Sequence, residues 1–90
     1  MPRNYTKVRI LEVLHSNGCG VWMTSQDVAL FLGLTVSNSS ELLRRYYRQG
    51  LLKRQRNYGV PKGYWYCLTE AGYERLIYLA DLLDAESYYG

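Results

Sequence analysis

Three glycines set the frame of this chain. Gly18, Gly33 and Gly50 each close a run of helical periodicity. Val8, Leu11 and Leu14 recur at threefold spacing, with Ile10 and Val13 alongside, and predict a helix over 5–17. Asn17-Gly18 ends it, because both residues tolerate the left-handed cap conformation. Thr24-Ser25-Gln26-Asp27 opens a second helix, over 24–33, as a capping box does: a hydroxyl for the orphan amide and an acid three residues on. That helix runs through Val28, Ala29, Phe31 and Leu32 and stops at Gly33. After a Gly33-Leu34 turn, a third helix covers 35–49. Thr35, Ser37 and Asn38 can each cap it, and Gly50 stops it.

The remaining segments are shorter or extended. Residues 20–23, Gly-Val-Trp-Met, are too few for a helix between such signals and predict a short strand. Leu51 to Arg56 suits a strand weakly, and Tyr64 to Leu68 strongly, by its aromatic content. Asn57 to Gly63 is rich in turn residues, so 51–68 forms a hairpin with a seven-residue tip. Thr69 caps a last helix over 69–89. The chain has 90 residues and shows no repeats or linkers, so 1–90 is one domain. Its class is α+β and mainly helical: a three-helix core, a short three-stranded sheet and a long C-terminal helix.

Charge is distributed unevenly. The net charge is only +3, but Leu42 to Thr69 carries seven Lys/Arg and no acid, whereas Glu70 to Gly90 carries five acids and only Arg75. A solvated surface ordinarily mixes both signs, so a local cationic block in a small domain points to a polyanionic partner. Ten Tyr stand against one Phe and two Trp. Tyrosine closes a core with its ring while its hydroxyl stays at the edge.

Other function classes find little support. No run of about 18 apolar residues exists to span a membrane. The N-terminal stretch lacks a long apolar region and a small-residue cleavage site, which predicts no signal peptide and a cytoplasmic, intracellular protein. Cys19, Cys67 and the single His15 lack zinc-site spacing, so neither metal nor cofactor is expected. The two thiols are expected to be buried and free; a disulfide between them requires that neighbouring strands carry them. No nucleophile set, phosphate loop or paired carboxylates mark an enzyme.

The order helix, short strand, helix, helix, hairpin, long helix resembles the winged helix-turn-helix superfamily, in the style of the MarR and PadR transcriptional regulators. "TSQDVALFLGLTVSNSSELLRRYYRQGLLKR" follows its helix, Gly-Leu turn, recognition helix and Gly-Leu-aliphatic entry into the first wing strand. "YWYCLTEAG" follows its second wing strand and the Leu-Thr-x-x-Gly that opens the next helix. Ser39 stands where the superfamily usually has a β-branched residue, and Tyr46 where an aliphatic is usual. The resemblance implies sequence-specific binding of duplex DNA by a homodimer.

Helical periodicity sorts the third helix without that resemblance. Val36, Ser39, Leu43, Tyr46 and Gly50 share one face, with Tyr47 at its edge. Ser37, Asn38, Glu41, Arg44, Arg45 and Arg48 fall opposite, and Ser40 lies near the helix start. Arg pairs with guanine and Asn with adenine in a major groove. Glu41 either accepts a bond from cytosine or pairs along the helix with Arg45 or Arg44, and the helix pair is favoured. In the hairpin, Arg54, Arg56, Asn57, Tyr58 and Lys62 are the candidates for a backbone or a minor groove, with Arg54 and Arg56 on one strand face and Lys53 opposite. Thr24, Ser25 and Gln26, at the start of the second helix, are candidates for phosphates as well as for capping.

The last helix predicts a dimer. Around Leu76, the apolar residues Tyr73, Ile77, Leu79, Ala80, Leu82 and Leu83 spread over more than half the circumference. A helix packed on its own domain needs a stripe of only about 100°. Two rival readings stand beside the DNA-binding regulator: a protein-interaction module, and an architectural coat with little sequence preference. The sequence names no effector.

Overall fold

A computed structural model describes residues 5–16, 22–59 and 63–89, and the side chains within them except those of Ser16 and 84–89. The elements run α1 (Tyr5–Ser16), α2 (Ser25–Leu32), α3 (Val36–Arg48), β1 (Leu52–Asn57), β2 (Gly63–Leu68) and α4 (Glu70–Tyr89). The expected Asn17-Gly18 cap, Cys19 and Lys62 lie outside the described residues.

The starts of α2 and α3 have local chemical causes. Thr24 accepts a hydrogen bond from the Asp27 amide at 3.2 Å, and the Asp27 carboxylate accepts one from the Thr24 amide at 3.0 Å. The expected capping box is therefore complete. Gly33 then ends α2 in the left-handed region, at φ 68°. The Leu34 amide reaches back to the Ala29 carbonyl at 3.0 Å, closing the turn. Of the three residues able to cap α3, Thr35 does so, accepting from the Asn38 amide at 3.1 Å.

The core gathers Val8, Ile10, Leu11 and Leu14 from α1, Val28 from α2 and Leu43 and Tyr46 from α3. Met23, Leu51, Leu52, Tyr66, Leu76 and Leu79 complete it. Helix α1 packs on α4 and on α2, and α2 packs on α3. Ser39 explains how the last pair comes so close. It is fully buried, and its hydroxyl donates to the Ser25 carbonyl at 2.9 Å. A small side chain lets the helices approach, and the hydrogen bond removes the cost of burying its hydroxyl.

Two members of the predicted core face of α3 sit elsewhere. Val36 is 46% exposed, because it is the first helical residue and lies at the rim of the α2–α3 junction. Gly50 is exposed, because the helix ends at Arg48 and the period no longer applies beyond it. In α2, Leu30 and Phe31 are exposed, at 84% and 62%.

Strands β1 and β2 pair antiparallel, from Leu52 opposite Leu68 to Asn57 opposite Gly63. The loop between them is therefore 58–62, shorter than the expected tip. Of the predicted strand at 20–23, Met23 makes an antiparallel bridge to Tyr66, with both backbone hydrogen bonds formed, at 2.9 and 2.8 Å. Residues 20 and 21 lie outside the described residues.

The Leu-Thr-x-x-Gly segment has a structural job. The Thr69 hydroxyl donates to the Gly50 carbonyl at 2.8 Å and accepts from the Gly72 amide at 3.0 Å. The Thr69 amide donates to Leu51 at 3.1 Å. This ties the start of α4 to the turn between α3 and β1. Gly72 is buried there, and a Cβ on it would overlap the Leu51 carbonyl oxygen and the Leu68 side chain. Among the described residues, no helix is long and apolar enough to cross a membrane.

Candidate nucleic-acid interface

The exposed face of α3 is built as its periodicity predicts. Ser37, Asn38, Glu41, Arg44, Arg45 and Arg48 are exposed and Ser40 is half-buried. All of them except Asn38 line one shallow depression. Tyr46 is buried against the core, and Tyr47 sits at the edge. Glu41 pairs with Arg45 one turn on, at 3.5 Å, with both side chains more than half exposed. Such a pair contributes only a few tenths of a kcal/mol, roughly. Its effect is to offset part of the charge of Arg45, leaving Arg44 and Arg48 as the less compensated cations.

Arg44 also faces a second groove. Thr24, Ser25 and Gln26 from the start of α2, Val36 and Ser40 from α3, and Gly63, Tyr64 and Tyr66 from β2 line it with Arg44. Helix α3, the start of α2 and the hairpin thus form one continuous surface. Within it, Gln26 is exposed, Ser25 is half-buried and Thr24 is buried as the cap of α2.

On the hairpin, strand alternation holds. Arg54 and Arg56 share the face that carries Tyr64, while Lys53 lies over the Trp22 ring at 5.7 Å. The Arg54 guanidinium sits between two rings, 4.1 Å from the centre of Tyr47 and 4.0 Å from that of Tyr64. Arg56 lies 5.8 Å from Tyr64 and 5.9 Å from Tyr58. A hydrogen bond from Arg56, aided by the charge of Arg54, holds the Tyr64 phenol below its ordinary pKa. Asn57 accepts from the Gly59 amide at 3.0 Å and shapes the tip, where Tyr58 is 83% exposed. Tyr47 and Tyr64 were not among the expected site residues. The period-two spacing of Arg54 and Arg56 was visible, but the ring that closes over Arg54 from α3 comes from a different element.

The structure is superposable on several solved proteins. A MepR mutant from a multidrug-resistant S. aureus clinical isolate matches with a TM-score of 0.69 at 19% identity, over 99% of this chain and 62% of that one. A MarR family protein from Bacillus stearothermophilus gives 0.65 at 19% identity, over 96% of this chain and 56% of that one. The fold is a winged helix-turn-helix. A possible transcriptional regulator from Methanosarcina mazei Go1 shares it, with a TM-score of 0.59 at 18% identity, over 89% and 72% of the two chains. The chain spans less than two thirds of the first two proteins. No protein-family model matches it, and no curated protein matches its sequence. At these identities the likeness is one of fold, and it bears out the expected winged-helix architecture. In its terms α2 and α3 are the two helices of the helix-turn-helix and β1–β2 the wing.

Helix α4 presents Tyr73, Ile77, Tyr78 and Leu82 as exposed apolar groups, with Ala80 and Leu83 half-buried. Leu79, expected at a dimer interface, lies instead in the core of its own domain, beside Leu76. Tyr73 also meets the His15 ring of α1, at 4.8 Å. Among the described residues, no three His, Cys, Asp or Glu side chains gather as a metal ion would require. Cys67 is buried.

Proposed function

We propose that this chain binds double-stranded DNA as the DNA-reading part of a transcriptional regulator that acts as a homodimer. The observation that carries the reading is the position of Arg44. It belongs both to the outer face of the recognition helix, with Arg45 and Arg48, and to the groove shared with the wing and the start of α2. One unbroken surface therefore offers guanidinium groups for base edges, wing cations for the backbone and helix-start polar groups for phosphates. Ser37, Asn38 and Ser40 contribute hydrogen-bonding groups at the entering end of the recognition helix. Arg56 and Lys62 serve the wing. The solved proteins of like fold include a MarR family protein and a possible transcriptional regulator, which agrees with this reading.

The exposed apolar residues of α4 support the homodimer, because water-facing Tyr73, Ile77, Tyr78 and Leu82 are best covered by a second helix. Twofold symmetry would set two recognition helices about 34 Å apart, one turn of DNA. The test is a double substitution, Arg44→Ala with Arg48→Ala. Both side chains are exposed, so duplex binding should be lost while the melting temperature barely moves. Undiminished binding by the double variant would place the interface elsewhere. Selection of bound duplexes from a random pool then separates a regulator, which enriches a palindromic motif, from a coat protein, which enriches none.

A further inference from the structure

The wing is a two-stranded hairpin, an element that is marginal on its own. Its base is held by the Met23–Tyr66 bridge and by the burial of Leu52 and Tyr66. Farther up, one side chain joins it to the recognition helix. Arg54 of β1 lies between Tyr47, on the last turn of α3, and Tyr64, on β2. Its guanidinium carbon is 4.1 Å from the centre of one ring and 4.0 Å from that of the other, so both rings touch the same cation. Arg56 lies farther from the Tyr64 ring, at 5.8 Å, and 5.9 Å from that of Tyr58 at the tip.

We propose that Arg54 is a positioning residue, and that the Tyr47–Arg54–Tyr64 stack fixes the angle between wing and recognition helix. A flat, delocalised cation is required, since it can stack on two rings at once whereas a lysine ammonium cannot. Charge alone would not explain the site, because an arginine used only for a phosphate gains nothing from lying about 4 Å from two rings of different elements. The stack makes the anion-binding surface a rigid unit. Arg44 and Arg48 on the helix and Arg56 on the wing then meet the duplex in one fixed arrangement, without the ordering cost of a loose hairpin.

The DNA consequence rests on the DNA-binding reading above; the mechanical one does not. Two substitutions probe the stack from opposite sides: Arg54→Lys keeps the charge and removes the flat group, and Tyr47→Leu removes a ring that bears no charge. The DNA-free protein is measured first, by the 15N heteronuclear NOE of the amides from Gln55 to Tyr58. Both variants should lower these values while leaving those of α1 and α2 at wild-type level. Each should then lose about 5- to 10-fold in affinity for mixed-sequence duplex. The double variant should lose no more than the worse single one, because both remove the same device. Wild-type NOE values in Arg54→Lys would overturn the proposal, as would wild-type affinity in that variant or, separately, losses that add in the double. If the wild-type protein binds no duplex, the DNA reading fails and the NOE comparison still decides the stack.

Discussion

The phenol of Tyr46 is a group whose ionisation this fold resists. Burial disfavours the phenolate and raises its pKa above 10.0, against a smaller opposing pull from Arg45. The folded state therefore keeps this proton at pH values where the unfolded chain releases it. The resulting stabilisation is fully present below the unfolded value and is lost as pH rises through the raised folded one. Lys7 lies over the same ring at 5.2 Å and donates to the Gln49 side chain at 2.7 Å. Its own pKa is lowered, by burial first and then by Arg75 and Arg45. That shift has the opposite sign, so it adds stability as pH rises through its window. Comparison with Tyr46→Phe isolates the tyrosine. The difference in melting temperature between the two proteins should be constant below pH 10.0 and move in favour of the variant above it. Parallel curves through the alkaline range would remove the claim. Tyr46 and Tyr47 also show what one-dimensional periodicity can do. A rotation of 100° per residue placed one tyrosine in the core and the other at its edge, and burial follows that order.

At the scale of elements, the joints matter more than the helices. Thr69 ties α4 to the α3–β1 turn by hydrogen bonds to the Gly50 and Leu51 carbonyls, and Gly72 lets its backbone approach Leu51 closely. Gly72→Ala should force α4 away from that turn, at a cost of about 2–3 kcal/mol. The melting temperature should fall by about 10 °C or more. A fall of less than about 2 °C would show that the joint yields. The Leu-Thr-x-x-Gly pattern was legible as a motif, but its reason was not, since the overlapping carbonyl lies 21 positions earlier in the chain. The edge of the sheet behaves in the same way. Aromatic content marked β2 clearly, whereas the predicted strand before α2 meets it, among the described residues, as a bridge at Met23. In α4, apolar content gave the surplus but not its division. Leu79 went to the domain's own core, and Ile77 and Leu82 faced outward.

For the whole molecule, charge segregation is the property with a solution consequence. The cationic block of the sequence becomes the second half of α3 and the wing, and the acids of α4 lie in the following element. If one subunit neutralises about five phosphates, log affinity should fall against log salt with a slope of about −4 to −5, and a dimer's with roughly twice that. A salt titration with a slope near zero would refute the electrostatic basis of binding.

The sequence by itself determined the order of elements, the stops at Gly33 and Gly50, the capping box and the outward face of α3. These depend on contacts within about one helical turn or on strand alternation, and such distances are written directly into residue spacing. Only the tertiary structure decided that Ser39 is the close contact between α2 and α3, that Val36 stays at the rim and that Arg54 is held between Tyr47 and Tyr64. Each of these joins side chains from different elements. Their meeting is set by how the helices and hairpin pack around one core, a geometry that no local spacing encodes.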